Sequence, residues 1–224
     1  MIDKQEIFDE VKCNLGLWCN TECVGADLAA AAGIAIANKF QAMSVVSGAV
    51  AELWPWIENT DIKIITRFMV DKAPDDDFMS NLASRISASF HDGANGAIIF
   101  VHFDDLKHLI SELSYIRDDL FFNKTLCVGL DINEIDFDKW GDVFQNMQSV
   151  RADSLMLFLS HDDGDKSDFV GRVYAMLNAN IGEWGGVLHF MLGKNDTRID
   201  QAFRLTEQTR FNMVSKMLFW VEND

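Results

Sequence analysis

The residues in this sequence that are best suited to chemistry are histidines and acids at the ends of apolar segments. His161 follows "SLMLFLS" and begins the run "HDDGD", His102 follows "GAIIFV", and Asp131 closes "TLCVGLD". Imidazole and carboxylate groups act as general acids and bases, and together they also bind divalent metal ions. We predict that His102, Asp131 and His161 are catalytic. Their spacing matches no metal-binding motif, so we predict no metal site, although a divalent ion on these three residues stays an open alternative.

Two further segments offer polar groups that could contact a substrate. Arg67 lies in "IKIITRF", where its guanidinium could bind a carboxylate or a phosphate, and His189 in "GVLHFML" is another candidate acid or base. In "MLGKNDT", Gly193 allows close backbone approach, Lys194 supplies charge, and a helix is expected directly afterwards. We predict that Gly193, Lys194 and Asn195 bind substrate, and that Lys194 is also a candidate catalytic amine.

These residues also have structural interpretations. Aspartates that precede helical segments, such as Asp104, Asp138 and Asp196, are explained by helix capping. A histidine near a strand end is often a hydrogen-bonded structural residue. Arg67 could form an ion pair in a chain this acidic, and Gly193 could simply provide an unusual backbone angle.

The elements that must position these residues alternate along the chain. Continuous apolar segments indicate strands that are buried on both faces, as in a parallel sheet covered by helices: "LGLWC", "QAMSVV", "IKIITRF", "GAIIFVHF", "TLCVGLDI", "SLMLFLS", "GVLHFML" and "KMLFWVE". Helical patterns lie between them, for example "DDDFMSNLASRISASF" with apolar residues at four-residue spacing, and "DDLKHLISELSYI". The second connection, "SGAVAELWPWIENT", is short and is expected to be broken by Pro55.

Repeated strand–helix units predict a (β/α)8 TIM barrel that forms one domain over residues 1–224. The segment Lys4 to Lys12 is predicted to be an extra helix that caps the bottom of the barrel. The sequence stops at Asp224, so we predict no eighth helix after the last strand. A doubly wound open sheet is the alternative, but no glycine-rich nucleotide motif follows any strand. In a TIM barrel, the active site lies at the carboxyl ends of the strands.

Composition narrows the possible partners. The net charge is −16, which argues against nucleic acids and anionic membranes. The apolar segments are too short to span a membrane, and the charged start "MIDKQEIFDEVK" is unlike a signal peptide, so we predict a cytoplasmic protein. Four cysteines are too few for a disulfide framework, and we predict reduced thiols in or near the core. We predict no cofactor and a small-molecule metabolite as ligand.

The order of segments resembles a class I aldolase barrel, in particular the deoxyribose-phosphate aldolase family. The similarity spans most of the chain and is carried by "KFQAMSVVSGAVAELWPWIENTDIKIITRF", "HDGANGAIIFVH", "RADSLMLFLSHD" and "GVLHFMLGKNDTRIDQAF". The resemblance implies an imine-forming lysine on strand six, a second lysine on strand seven that lowers the pKa of the first, and an acid on strand four.

None of these three groups is matched in this chain. The lysine of strand six falls on Met156, the acid of strand four falls near Ile98, and residues 187–193 contain no lysine. Lys63 and Lys124 stand at strand starts, where catalysis is not expected. If Met156 occupies the lysine position, then Phe158 and Ser160 also face the barrel interior, because alternate strand residues share a face.

Two functions remain after this comparison. The first is a small-molecule lyase or isomerase that acts on a carbonyl or phosphorylated metabolite without the usual Schiff-base lysine. The second is a non-catalytic aldolase-like barrel that serves as an assembly or interaction partner. A barrel without its eighth helix would expose an apolar surface, and we therefore predict a homo-oligomer.

Overall fold

The computed structural model describes residues 14–70, 74–159, 166–179, 184–191, 196–210 and 217–223. The predicted N-terminal helix and the candidate residues His161, Gly193, Lys194 and Asn195 lie outside these ranges.

The strands form a closed barrel in which each strand pairs in parallel with the next along the chain, and the last pairs with the first. This confirms the (β/α)8 barrel and excludes the doubly wound sheet. The strands are β1 Leu15–Trp18, β2 Ala42–Val46, β3 Lys63–Met69, β4 Gly96–Phe100, β5 Thr125–Asp131, β6 Ser154–Phe158, β7 Val187–Met191 and β8 Met217–Glu222.

Helices occupy every connection between consecutive strands. They are α1 Gly25–Ala37, α2 Val50–Ile57, α3 Asp76–His91, α4 Phe103–Leu106, α5 Ile110–Leu120, α6 Trp140–Val150, α7 Lys166–Asn178 and α8 Asp196–Arg210, with short 3-10 helices at Ser47–Ala49 and Ile132–Glu134. In the described part of the chain, only Asn223 follows β8, and no helix does. None of the helices in these ranges is long and apolar enough to cross a membrane.

Two helical predictions need correction. The segment expected to form one helix after β4 is split into α4 and α5 around Lys107. Pro55 lies inside α2 and does not break it. Proline removes one backbone donor, here the one that would bond the carbonyl of Ala51, and Ala51 is exposed, so water can replace that donor.

Alternate strand residues divide into a helix-facing layer and a barrel interior. The middle of the interior is mostly apolar and includes Met156 and Ile98, both fully buried, together with Phe158. The predicted inward orientation of Met156 and Phe158 is therefore confirmed, while Ser160 lies outside the described residues. Glycine makes room for the large interior rings, because a Cβ on Gly16 would lie 2.7 Å from the ring of Trp220.

Candidate functional site

The carboxyl ends of the strands surround a pocket of about 420 Å³, which we call the mouth pocket. Among the residues that the structure describes, its polar side chains are Thr21, Arg67 and Glu222. Its walls are otherwise apolar: Trp18, Phe68, Met69, Phe100, Phe158, Leu159 and Met191. The position is that of TIM-barrel active sites, and the mixture of apolar walls with a few polar groups is typical of small-molecule sites.

Four interior rings pack against one another at the mouth pocket and below it, and we call them the aromatic floor: Trp18, Phe100 and Phe158, which line the pocket, and Trp220. Phe100 meets Trp18 edge to face at 6.1 Å and Phe158 at 5.0 Å between ring centroids. Trp18 meets Trp220 in the same way at 5.9 Å. Edge-to-face packing is favourable for aromatic pairs, so the floor is a stable apolar base for a ligand.

Arg67 is the cation of the mouth pocket. It pairs in register with Ile98, so its side chain faces inward. Its Nη1 donates to the carbonyl oxygen of Ser44 at 3.2 Å, and its Nη2 donates to the carbonyl oxygen of Cys19. The guanidinium carbon lies 4.4 Å from the ring centroid of Trp18. Burial lowers the pKa of Arg67 to about 10, so the side chain stays charged at neutral pH.

The ion pair considered for Arg67 is not observed, since no carboxylate among the described residues lies within salt-bridge distance of it. Backbone carbonyls of two neighbouring strand ends hold the guanidinium in place instead. Carbonyls orient a cation without neutralising its net charge, so Arg67 can still attract an anionic ligand.

Glu222 is a site residue that the sequence reasoning did not select. It ends β8, pairs in register with Trp18 and lines the mouth pocket. The available signal was strand parity, because Glu222 stands two residues after the inward-facing Trp220. The described lining of the pocket therefore contains one guanidinium and one carboxylate between apolar walls.

The side chain of His102 interacts with Glu134, which follows the neighbouring strand β5. Its Nδ1 lies 2.9 Å from Oε1 of Glu134, and Oε2 of Glu134 accepts a hydrogen bond from the backbone nitrogen of Phe103 at 3.0 Å. Glu134 thus links the ends of β4 and β5. Asp131 is buried and accepts a hydrogen bond from the backbone nitrogen of Asn133 at 2.9 Å, which caps the following 3-10 helix.

His189 lies in the barrel interior but does not line the mouth pocket. Its Nδ1 is 3.7 Å from Sγ of Cys127, and its ring centroid is 5.8 Å from that of Trp220. Burial lowers the pKa of His189 to about 3, so the imidazole is neutral at physiological pH. His189 and Arg67 line separate cavities, and the structure does not bring them together.

The interior offers no amine at the level of Met156. Among the inward-facing strand positions that the structure describes, the one lysine is Lys63, at the amino end of β3. The described cysteines are free and buried, as predicted: Cys19, Cys23 and Cys127. Burial raises the pKa of the Cys19 thiol to about 12, so this thiol is protonated.

In the described ranges, no group of three or more His, Cys, Asp or Glu side chains is arranged to hold a metal ion. His161 lies outside those ranges, so the alternative metal set of His102, Asp131 and His161 stays a prediction.

Comparison with known proteins supports the fold. No family profile and no curated protein sequence matches the chain. Among solved structures, a candidate deoxyribose-phosphate aldolase from Toxoplasma gondii superposes with a TM-score of 0.72 at 15% identity, covering 98% of this chain and 91% of its own. The tetrameric deoxyribose-phosphate aldolase of Aeropyrum pernix gives 0.69 at 13%, covering 89% and 88%. A candidate copper homeostasis protein, CutC, from Streptococcus agalactiae gives 0.63 at 9%, covering 92% and 98%.

The chain is therefore an aldolase-like TIM barrel in fold, and the resemblance seen in the sequence is confirmed at that level. At sequence identities this low, the similarity supports a shared architecture and nothing further.

Proposed function

We propose that the protein is a small-molecule lyase or isomerase that acts in the mouth pocket on a carbonyl compound bearing a carboxylate or phosphate. The observation that carries the proposal is that Arg67 and Glu222 line one apolar-walled pocket at the carboxyl ends of the strands. Enolisation requires a base that accepts a proton and a cation that stabilises the negative charge of the enolate. The carboxylate and the guanidinium can supply these two roles.

In this mechanism, the carboxylate of Glu222 takes a proton from the carbon next to the carbonyl group. The electron pair of that C–H bond forms the C=C bond of an enolate while the π pair of the carbonyl group moves to its oxygen, and the positive charge of Arg67 stabilises this enolate. The carboxylic acid of Glu222 then returns the proton to the same carbon, or to the former carbonyl carbon when the α-carbon bears a hydroxyl group whose proton passes to the enolate oxygen. The apolar walls lower the polarity around both groups and so strengthen their electrostatic interactions.

The proposal does not use a Schiff base. Met156 stands where the resemblance places the imine-forming lysine, and a thioether cannot form an imine. Borohydride trapping with a panel of aldehydes and ketones, followed by mass spectrometry, is expected to give no covalent adduct. An adduct at Lys194 would contradict the mechanism and support an imine route.

Proton exchange tests the assignment of Glu222. We expect Glu222→Gln to slow deuterium incorporation next to the carbonyl by at least about 100-fold, because an amide cannot accept the proton. Proton NMR in D2O with a panel of keto acids and sugar phosphates measures the rate. Glu207→Gln, on the exposed face of α8, is the matched control and should exchange at the wild-type rate. Equal rates in both variants would exclude Glu222 as the base.

A non-catalytic interaction barrel is the second candidate. Two observations favour it: the apolar interior around Met156 and Ile98, and large exposed apolar side chains on α1 and α2, among them Trp56 with 55% of its surface exposed. A homo-oligomer in the cytoplasm remains our proposal for the assembled protein. Light scattering would show a multiple of 25.3 kDa, and this candidate would gain support if no carbonyl compound exchanged its proton.

A further inference from the structure

A second cavity, of about 920 Å³, opens at the amino ends of the strands, and we call it the lower cavity. Residues that begin strands line it: Ala42, Lys63, Thr125, Ser154, Val187 and Met217. It lies at the opposite end of the barrel from the mouth pocket and shares with it none of the described lining residues.

The deep part of the lower cavity contains polar groups that have few protein partners. Ser154 is 1% exposed, and its hydroxyl group interacts with the Cys127 thiol, which is a weak hydrogen-bond partner. His189 is 6% exposed, its Nδ1 contacts the Cys127 thiol and its ring packs against Trp220, and no described residue forms a hydrogen bond with its Nε2. Both side chains therefore keep hydrogen-bonding capacity towards the cavity, where water or the polar group of a ligand can use it.

The rim of the lower cavity is basic. Lys39, Lys63 and Lys124 line it, against Asp61 and Asp153. In the part of the chain that the structure describes, neither Lys39 nor Lys63 has a carboxylate within salt-bridge distance. Such a local excess of positive charge is unusual in a chain whose net charge is −16, and it attracts anions.

Asp153, one of the two acids that line the cavity, already interacts with other groups of the protein. Oδ1 of Asp153 lies 3.2 Å from Nη2 of Arg117, and its Oδ2 accepts a hydrogen bond from the backbone nitrogen of Leu126 at 2.8 Å. The carboxylate is thus neutralised by protein groups. Asp61 is the one remaining acid in the described lining of the cavity.

We propose that the lower cavity binds a small metabolite through an oxyanion, a phosphate or carboxylate group, with Lys63 supplying charge and Ser154 and His189 supplying hydrogen bonds. The apolar residues Ala42, Ile65 and Leu218 provide a wall for the carbon part of the ligand. This site does not depend on the reaction proposed for the mouth pocket.

Residues 1–13 are the competing occupant. They precede Asn14, whose Oδ1 accepts a hydrogen bond from Nε2 of Gln41 on the cavity rim at 3.4 Å. They also contain four acids, Asp3, Glu6, Asp9 and Glu10, which a basic rim would attract.

The test is an NMR titration of the full chain, labelled with 15N-histidine, with inorganic phosphate and separately with malonate. The His189 signal, identified as the one lost in His189→Gln, should shift saturably with at least one of the two anions. Whichever anion binds more tightly identifies phosphate or carboxylate as the recognised group. No saturable shift with either anion would overturn the proposal.

Two variants and a control test the residues. Ser154→Ala should weaken binding about tenfold, because it removes a hydrogen bond to a charged group, and Lys63→Gln about fivefold. Lys107→Gln, at an exposed position after α4, should bind as the wild type does. Unchanged affinity in Ser154→Ala, or equal losses in Lys63→Gln and Lys107→Gln, would indicate only general attraction of anions and overturn the proposal.

A final variant separates the two occupants. A chain that lacks residues 1–13 should bind the anion with the affinity of the full chain. If only the shortened chain binds, the first 13 residues fill the cavity themselves, and the proposed site does not exist in the full protein.

Discussion

Arg67 is held by backbone carbonyls rather than by an acid, and this is a consequence of strand geometry. The carbonyl oxygens of Cys19 and Ser44 lie at the ends of two neighbouring strands and both accept hydrogen bonds from its guanidinium. Hydrogen bonds to a charged group are stronger than neutral ones. Arg67 therefore stabilises the mouth of the barrel and also gives it a positive charge.

Replacing Arg67 with methionine tests this structural role. We expect Arg67→Met to lower the free energy of unfolding by about 2 kcal/mol, because two buried carbonyls lose charged donors while the stem still packs on Trp18. Urea unfolding followed by circular dichroism measures the change. Arg85→Met is the control, since Arg85 is exposed and lies over the ring of Phe68 at 5.4 Å. Equal losses in both variants would show that the carbonyl contacts contribute nothing.

His189 makes the stability depend on pH in a defined direction. Its pKa is lowered from 6.5 to about 3 by burial, so the folded protein keeps it neutral while the unfolded chain protonates it below 6.5. Its effect on stability is absent above pH 6.5. As the pH falls from 6.5 towards 3, the unfolded state binds a proton that the folded state does not, and stability is lost.

The comparison of two histidine variants measures that effect. Below pH 6.5, His189→Gln should lose less stability than the wild type, by up to about 1.4 kcal/mol per pH unit. Urea unfolding between pH 7 and 4.5 gives the two curves. His108→Gln, at an exposed position, should follow the wild-type curve. Parallel curves for the wild type and His189→Gln would mean that His189 is protonated in the folded state.

At the scale of elements, glycines in the barrel interior leave the space that the rings of the aromatic floor occupy. Gly129 on β5 stands against the ring of Phe100 on the neighbouring strand β4, so that a Cβ at position 129 would overlap the ring. Gly33 in α1, by contrast, has nothing within 4 Å of the position of an added Cβ. The same substitution should therefore have opposite effects in the two elements.

We expect Gly129→Ala to destabilise the protein by about 1–3 kcal/mol, because overpacking forces the ring of Phe100 out of place. Gly33→Ala should stabilise it by about 0.5–1 kcal/mol, because alanine favours the helix. Thermal unfolding of the two variants measures both effects. Stabilisation by both substitutions would show that the barrel interior has room to spare at β5.

The sequence predicted the order of the strands and helices more reliably than the residues at which they begin and end. Continuous apolar segments such as "GAIIF" identified strands, because a parallel sheet covered by helices buries both faces. The break around Lys107 and the persistence of α2 through Pro55 were missed. The persistence of α2 depends on whether water can reach the carbonyl of Ala51, and that is known only after the helix has packed on the barrel.

At the scale of the whole molecule, the barrel has a cavity at each end and an apolar interior between them. Met156, Ile98 and the rings of the aromatic floor fill that interior. The mouth pocket and the lower cavity are thus chemically independent, and a ligand in one has no direct path to the other.

The overall charge should govern the response of the protein to salt. The net charge is −16, so the acidic side chains repel one another on average, and salt screens that repulsion. We expect the melting temperature to rise by at least about 2 °C between roughly 0.01 and 0.5 M NaCl. Exposed ion pairs such as Arg151 with Asp118, at 2.6 Å, weaken in salt but contribute little. KCl should act as NaCl does, and a falling melting temperature would mean that ion pairs outweigh repulsion.

The sequence by itself determined the barrel, because strand and helix patterns alternate along the chain. The resemblance to an aldolase placed Met156 at the position of the lysine, and strand alternation then assigned Phe158 to the same face. The sequence could not determine how deep each side chain lies in the barrel, or which side chains from different strands come into contact. The pairing of His102 with Glu134, the separation of His189 from Arg67, and the presence of Glu222 beside Arg67 in one pocket depend on how the strands are staggered when the sheet closes. That stagger is a property of the closed barrel as a whole, which no single segment of the sequence contains.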